Sequence, residues 1–122
     1  MILADTSVWI EHFRRSEPRL NAALQDGEVL MHPHVIGELA CGNFRHRAET
    51  LELLEQLPVS RVATHSEAMA MVERRALMGR GIGYVDIHLL AGTALTPDAR
   101  LWTLDRRLAT VAASLGLSIP EK

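Results

Sequence analysis

The chain has 122 residues, 48 % hydrophobic, 4 % aromatic and 23 % charged, a composition that excludes a disordered segment and suits one domain over 1–122, able to bury about two-thirds of its unfolded surface. A formal net charge of −2 excludes a bulk pull toward nucleic acid or anionic membrane, although all but one of the 13 basic residues are arginine, the side chain suited to bidentate phosphate contacts. The single cysteine, Cys41, excludes an internal disulfide and a thiolate metal cluster and reads as a small buried thiol.

In chain order, "MILA" reads as a short buried strand and "TSVWIEHF" as the start of a helix capped by Thr6 or Ser7. "PRLNAALQDG" is a helix with Pro18 in a starting position and Gly27 as its stop. "EVLMHP" is a second strand, ended by Pro33, and apolar residues then recur at spacings of about three and four from Val35 to Leu57. "VSRVAT" alternates like a strand, Ser66 can cap "EAMAMVERRALMGRG", and "YVDIHLLAGTAL" is a further helix closed by "TPD". "RLWTLD" is a strand and "RRLATVAASLG" the last helix. This alternation predicts an α/β fold: three α/β/α layers around a mainly parallel sheet, whose sites gather at the carboxyl ends of strands. No apolar run approaches the roughly 18 residues a membrane span needs. The N-terminus lacks the basic region and apolar core of a signal peptide, so a cytoplasmic protein is expected.

Most of the 15 acids have a structural explanation on polar helix faces or in turns. Four do not. Asp5 and Asp105 follow apolar strands, while Glu38, in "HVIGELACG", and Asp86, in "GYVDIHLLA", lie among small and apolar neighbours. Each has its own bland explanation, since Asp5 and Asp105 can cap the helices that follow and Glu38 and Asp86 can face outward. Together they are harder to dismiss. None has an obvious basic neighbour, and converged carboxylates repel by about 4 kcal/mol per close pair at an effective dielectric near 20. A divalent cation relieves that repulsion, and all-oxygen ligation favours Mg²⁺ or Mn²⁺ over zinc.

"LADTSVWIEHF", "VIGELACG", "GYVDIHLLAGTAL" and "LWTLDRRL" together resemble a PIN domain of the VapC type, the toxin ribonucleases of type II toxin–antitoxin pairs. The resemblance runs through nearly the whole chain in the family's order. It implies a metal-dependent endoribonuclease with Asp5, Glu38, Asp86 and Asp105 as its acids around Mg²⁺ or Mn²⁺. It also implies supporting roles for the Ser7 and Thr103 hydroxyls, a VapB-type antitoxin as partner, and a homodimer. Asp98, in "TPDAR", competes for the fourth position and ranks second, because "TPD" is an adequate turn.

Arg14, Arg15 and Arg106 are the foremost candidates for RNA phosphate contacts, with Arg45, Arg47, Arg80 and Arg107 behind them. All six histidines read as structural, including His32 and His34 of "HPH". "GRGIG" follows a helix rather than a strand, which favours a flexible connection over a phosphate cradle. The alternative function is a PIN-like module that binds RNA or protein without cutting. A phosphatase with an aspartate nucleophile is disfavoured, because Ser7 stands where its second aspartate belongs and Lys122 is the only lysine.

Overall fold

A computed structural model describes residues 1–120; Lys122 lies outside them. The strand β1 (Ile2–Ala4) is the centre of a three-stranded sheet, with β2 (Val29–Leu30) on one side and β3 (Arg100–Trp102) on the other. Both pairings are parallel, Leu3 lying beside Leu30 and Leu101. Successive strand residues point to opposite faces, and Leu3 and Ala4 are both fully buried, so both faces of the sheet are covered. Seven helices surround it among the described residues: α1 (Thr6–Arg15), α2 (Pro18–Gln25), α3 (Pro33–Cys41), α4 (Arg47–Leu54), α5 (His65–Arg74), α6 (Tyr84–Leu95) and α7 (Arg106–Ser114). The expected α/β architecture with a parallel sheet is what the chain adopts.

The chain leaves β1 for β2 on one side and later crosses to β3 on the other. Connections that diverge in this way leave a crevice at the carboxyl end of the middle strand, and Asp5 is the first residue past that end. The helix α6 is apolar on nearly every side and buries each residue from Ile87 to Thr93, as a helix in the core must. Gly92 lets it approach the neighbouring chain, because a Cβ there would sit 2.7 Å from the Arg61 carbonyl oxygen. Asp86 stands immediately before this buried run.

Three local expectations need correction. "VSRVAT" forms no strand: Val59 makes a lone parallel bridge to Met31, and Thr64 then caps α5. Thr64, not Ser66, is that cap, in a reciprocal box with Glu67. The apolar recurrence from Val35 to Leu57 falls, as its spacing suggests, on helices, α3 and α4, separated by a turn in which His46 takes a positive φ of 55°. Cys41, the last residue of α3, is exposed rather than buried.

His32 caps α3, its Nδ1 accepting from the His34 amide at 3.0 Å. That bond places the ring proton on Nε2, which is buried without a partner. Its ring meets His34 edge-on at 5.1 Å, and His34 stacks on His88 at 4.8 Å. Burial, and then the charges of His34 and His88, lower the pKa of His32 to about 4. The unfolded chain takes up this proton near pH 6.5 and the folded chain only near pH 4. Between those values the unfolded state binds more protons, so stability falls as the pH drops from about 7 toward 4, by up to ~1.4 kcal/mol per unit. His32→Asn retains an acceptor for the His34 amide and is expected to flatten that decline. Urea midpoints between about pH 7 and about pH 4.5 measure it; equal slopes in the two proteins would show that the proton goes elsewhere.

Candidate active site

Two strand ends are stitched together at the crevice. The Asp5 amide donates to the Trp102 carbonyl at 2.9 Å, which ties the start of α1 to the end of β3. The Asp5 side chain is 6 % exposed. Its Oδ1 accepts from the Val8 amide at 3.2 Å and the Ser7 hydroxyl at 2.5 Å, and its Oδ2 accepts from the Thr103 hydroxyl. Asp5, rather than Thr6 or Ser7, is therefore the N-cap of α1. Ser7 Oγ accepts from the Leu104 amide and Thr103 Oγ1 from the Asp105 amide, each at 3.0 Å. Both hydroxyls thus brace the Asp5 carboxylate against the loop that carries Asp105.

Asp105 caps α7 through Oδ1, which accepts from the Arg107 amide at 2.9 Å and the Leu108 amide at 3.1 Å. Glu38, exposed on α3, accepts from the Thr6 hydroxyl at 2.5 Å. Asp86 sits in the first turn of α6, where its Oδ2 accepts from the Gly83 amide at 3.1 Å. Asp5 and Asp105 therefore do cap helices.

Burial is the largest influence on Asp86 and raises its pKa; the Gly83 bond opposes it, and the charges of Asp105, Asp5 and Glu38 raise it further. One carboxylate thus senses three others, delivered by the ends of β1 and β3 and by α3. Among the described residues the ion pairs are Arg15–Glu11 at 3.1 Å and His46–Glu49 at 3.6 Å. None of these four acids has an ion-pair partner among the described residues. Asp98 precedes β3, at the opposite end of the strand from Asp105, and its carbonyl accepts from the N-terminal amine.

An uncompensated, all-oxygen donor set fits a hard divalent cation. As the side chains stand, no three histidine, cysteine, aspartate or glutamate side chains among the described residues form a group able to hold a metal ion. The fit is therefore one of chemistry and charge rather than of a closed ligand cage. Thr6 is the site residue that sequence reasoning missed as a partner of Glu38, because a contact across 32 positions leaves no local signal.

The arginines separate into groups. Arg15 is paired with Glu11, Arg47 donates to the Ala40 and Gly42 carbonyls at the end of α3, and Arg14 and Arg106 are exposed. Met69 and Met71 pack against the core, whereas Met78 is exposed. No helix among the described residues is long and apolar enough to cross a membrane.

The family model described as "PIN domain" matches residues 2–114. Two relatives, each named ribonuclease VapC32, come from Mycobacterium tuberculosis strains CDC 1551 / Oshkosh and ATCC 25618 / H37Rv. Each is 48 % identical over 122 residues, covering 100 % of this chain and 98 % of its own length.

Proposed function

The chain belongs to the PIN-domain family, and from that premise we propose that Asp5, Glu38, Asp86 and Asp105 hold Mg²⁺ or Mn²⁺ for the hydrolysis of RNA. It is a ribonuclease of the VapC type, the toxin of a toxin–antitoxin system, as its full-length likeness to VapC32 supports. What supports the metal reading is that burial and the charges of Asp105, Asp5 and Glu38 raise the Asp86 pKa, while none of the four carboxylates has an ion-pair partner among the described residues.

A bound divalent cation supplies charge for the phosphate oxygens and lowers the pKa of water. The chain's own residues do the rest. Ser7, Thr103 and the Val8 amide each donate to Asp5, which fixes its rotamer and leaves one lone pair, on Oδ2, for a cation. Glu38 has one oxygen bonded to Thr6; its other oxygen is assigned to orient the attacking water. Arg14, Arg15 and Arg106 contribute phosphate contacts, Arg15 after release from an exposed pair that costs little to break.

The same reading brings RNA as substrate, a VapB-type antitoxin as inhibitor, a homodimer, and a cytoplasmic location. Cleavage of structured RNA is expected with Mg²⁺ or Mn²⁺ and is expected to stop in EDTA. Activity that survives chelation would overturn the metal assignment. Light scattering tests the dimer, and a monomer at micromolar concentration would count against it.

A further inference from the structure

We propose that Arg80, Arg106 and Arg107 form a subsite for an RNA backbone phosphate next to the scissile one, assembled by the glycine loop that joins α5 to α6. It rests on the ribonuclease reading and names a contact which that reading leaves open. The three arginines, with Thr110 and Val111, line one cavity of about 210 Å³. All three are exposed, and none has a side-chain hydrogen bond or ion pair among the described residues.

The loop brings Arg80 to the other two. Gly79 and Gly81 take φ values of 71° and 81°, a region that side chains other than glycine's disfavour. A Cβ on Gly81 would lie 2.6 Å from Cδ of Arg107, so the bare glycine backbone seats against that side chain. The loop is therefore held on α7 rather than serving as a slack connection. It contributes to an anion site through the arginine it carries.

The position follows from the chain. Arg106 and Arg107 come directly after Asp105, whose carboxylate accepts from the Arg107 amide. A strand whose scissile phosphate lies at the acids therefore has a neighbouring phosphate within reach of these guanidinium groups. Three cations around one concavity repel one another, and a phosphodiester relieves that repulsion with charge-assisted bonds. An acidic centre beside a basic cleft is also how a chain of net charge −2 can draw in a polyanion.

The test is Arg80→Gln/Arg107→Gln against Arg74→Gln/Arg75→Gln, a control with the same change in net charge on the α5 side. Binding is read by anisotropy on a mixed-sequence 2′-O-methyl RNA in EDTA, at salt from about 50 to about 200 mM. The loop-and-α7 variant is expected to bind about 10- to 30-fold more weakly, with a salt slope lower by about 2, and to show a raised KM with kcat little changed. Gly81→Ala is expected to weaken binding in the same direction with every arginine present, which separates assembly of the subsite from loss of charge. Equal affinity and slope in the loop-and-α7 variant and the control would overturn the subsite while wild-type cleavage still stands. Wild-type protein that neither binds nor cuts RNA would overturn the ribonuclease reading, and the subsite with it.

Discussion

Asp86→Asn is expected to lower RNA cleavage by about a thousandfold and, in metal-free protein, to raise stability by about 0.5–2 kcal/mol. The two effects share one cause. Asp86 is held half-buried beside Asp105, Asp5 and Glu38, so its charge is a cost to the fold and an asset only when a cation is present. Asparagine keeps an oxygen for the Gly83 amide and removes the repulsion. Because the folded pKa is raised, the wild-type fold binds more protons than the unfolded chain just above the usual carboxylate range. Asp86 therefore contributes stability as the pH falls through that window, against the decline that His32 imposes there, and the variant lacks that contribution. Thermal melts in EDTA at low ionic strength, where screening is weakest, measure the first effect, and single-turnover cleavage measures the second. A variant that is both inactive and less stable would contradict the account of a crowded pocket.

Asp5→Ala is expected to abolish cleavage to a similar degree with the opposite sign in stability, a loss of about 2–4 kcal/mol. Here the carboxylate is crowded but held by three hydrogen bonds. Removing it strips the cap from α1 and leaves the Val8 amide and the Ser7 and Thr103 hydroxyls without their acceptor. Those groups tie the start of α1 to the loop before α7, so the loss spreads across both junctions. Asp5→Asn retains one acceptor and is expected to recover part of the stability and none of the activity. Melting midpoints of the three proteins, with and without Mn²⁺, decide the matter: an Asp5→Ala protein as stable as wild type would mean that the hydroxyl network does not hold the junction.

The contrast between these two aspartates also marks what could be read from residues alone. The end of an apolar run followed by an acid, as in "ILAD" and "LWTLD", is legible because a parallel strand buried on both faces cannot continue through a carboxylate. Glu38 and Asp86 are legible as charges in apolar helices. Which acid is crowded and which is satisfied is not legible, because the Thr103–Asp5 bond joins residues 98 positions apart. The same holds for the arginine cleft, since Gly81 and Arg107 meet only in the folded chain.

Local errors had local causes. "THSE" carries the T-x-x-E signature of a reciprocal cap, which pointed to Thr64. "VSRVAT" alternates as a strand does, yet its pairing stops at one bridge to Met31, which accepts from the Ser60 amide and donates to the Pro58 carbonyl. Cys41 looked apolar by composition, but it closes α3, where the turn toward α4 leaves it in solvent.

The central claim is that residues 5, 38, 86 and 105 act as one cation pocket. Its most direct test is a Mn²⁺ titration of wild type and Asp86→Asn by calorimetry, with no RNA present. The account predicts saturable binding to wild type that the substitution weakens by at least about tenfold. Undiminished Mn²⁺ binding by Asp86→Asn, or none by wild-type protein, would contradict it.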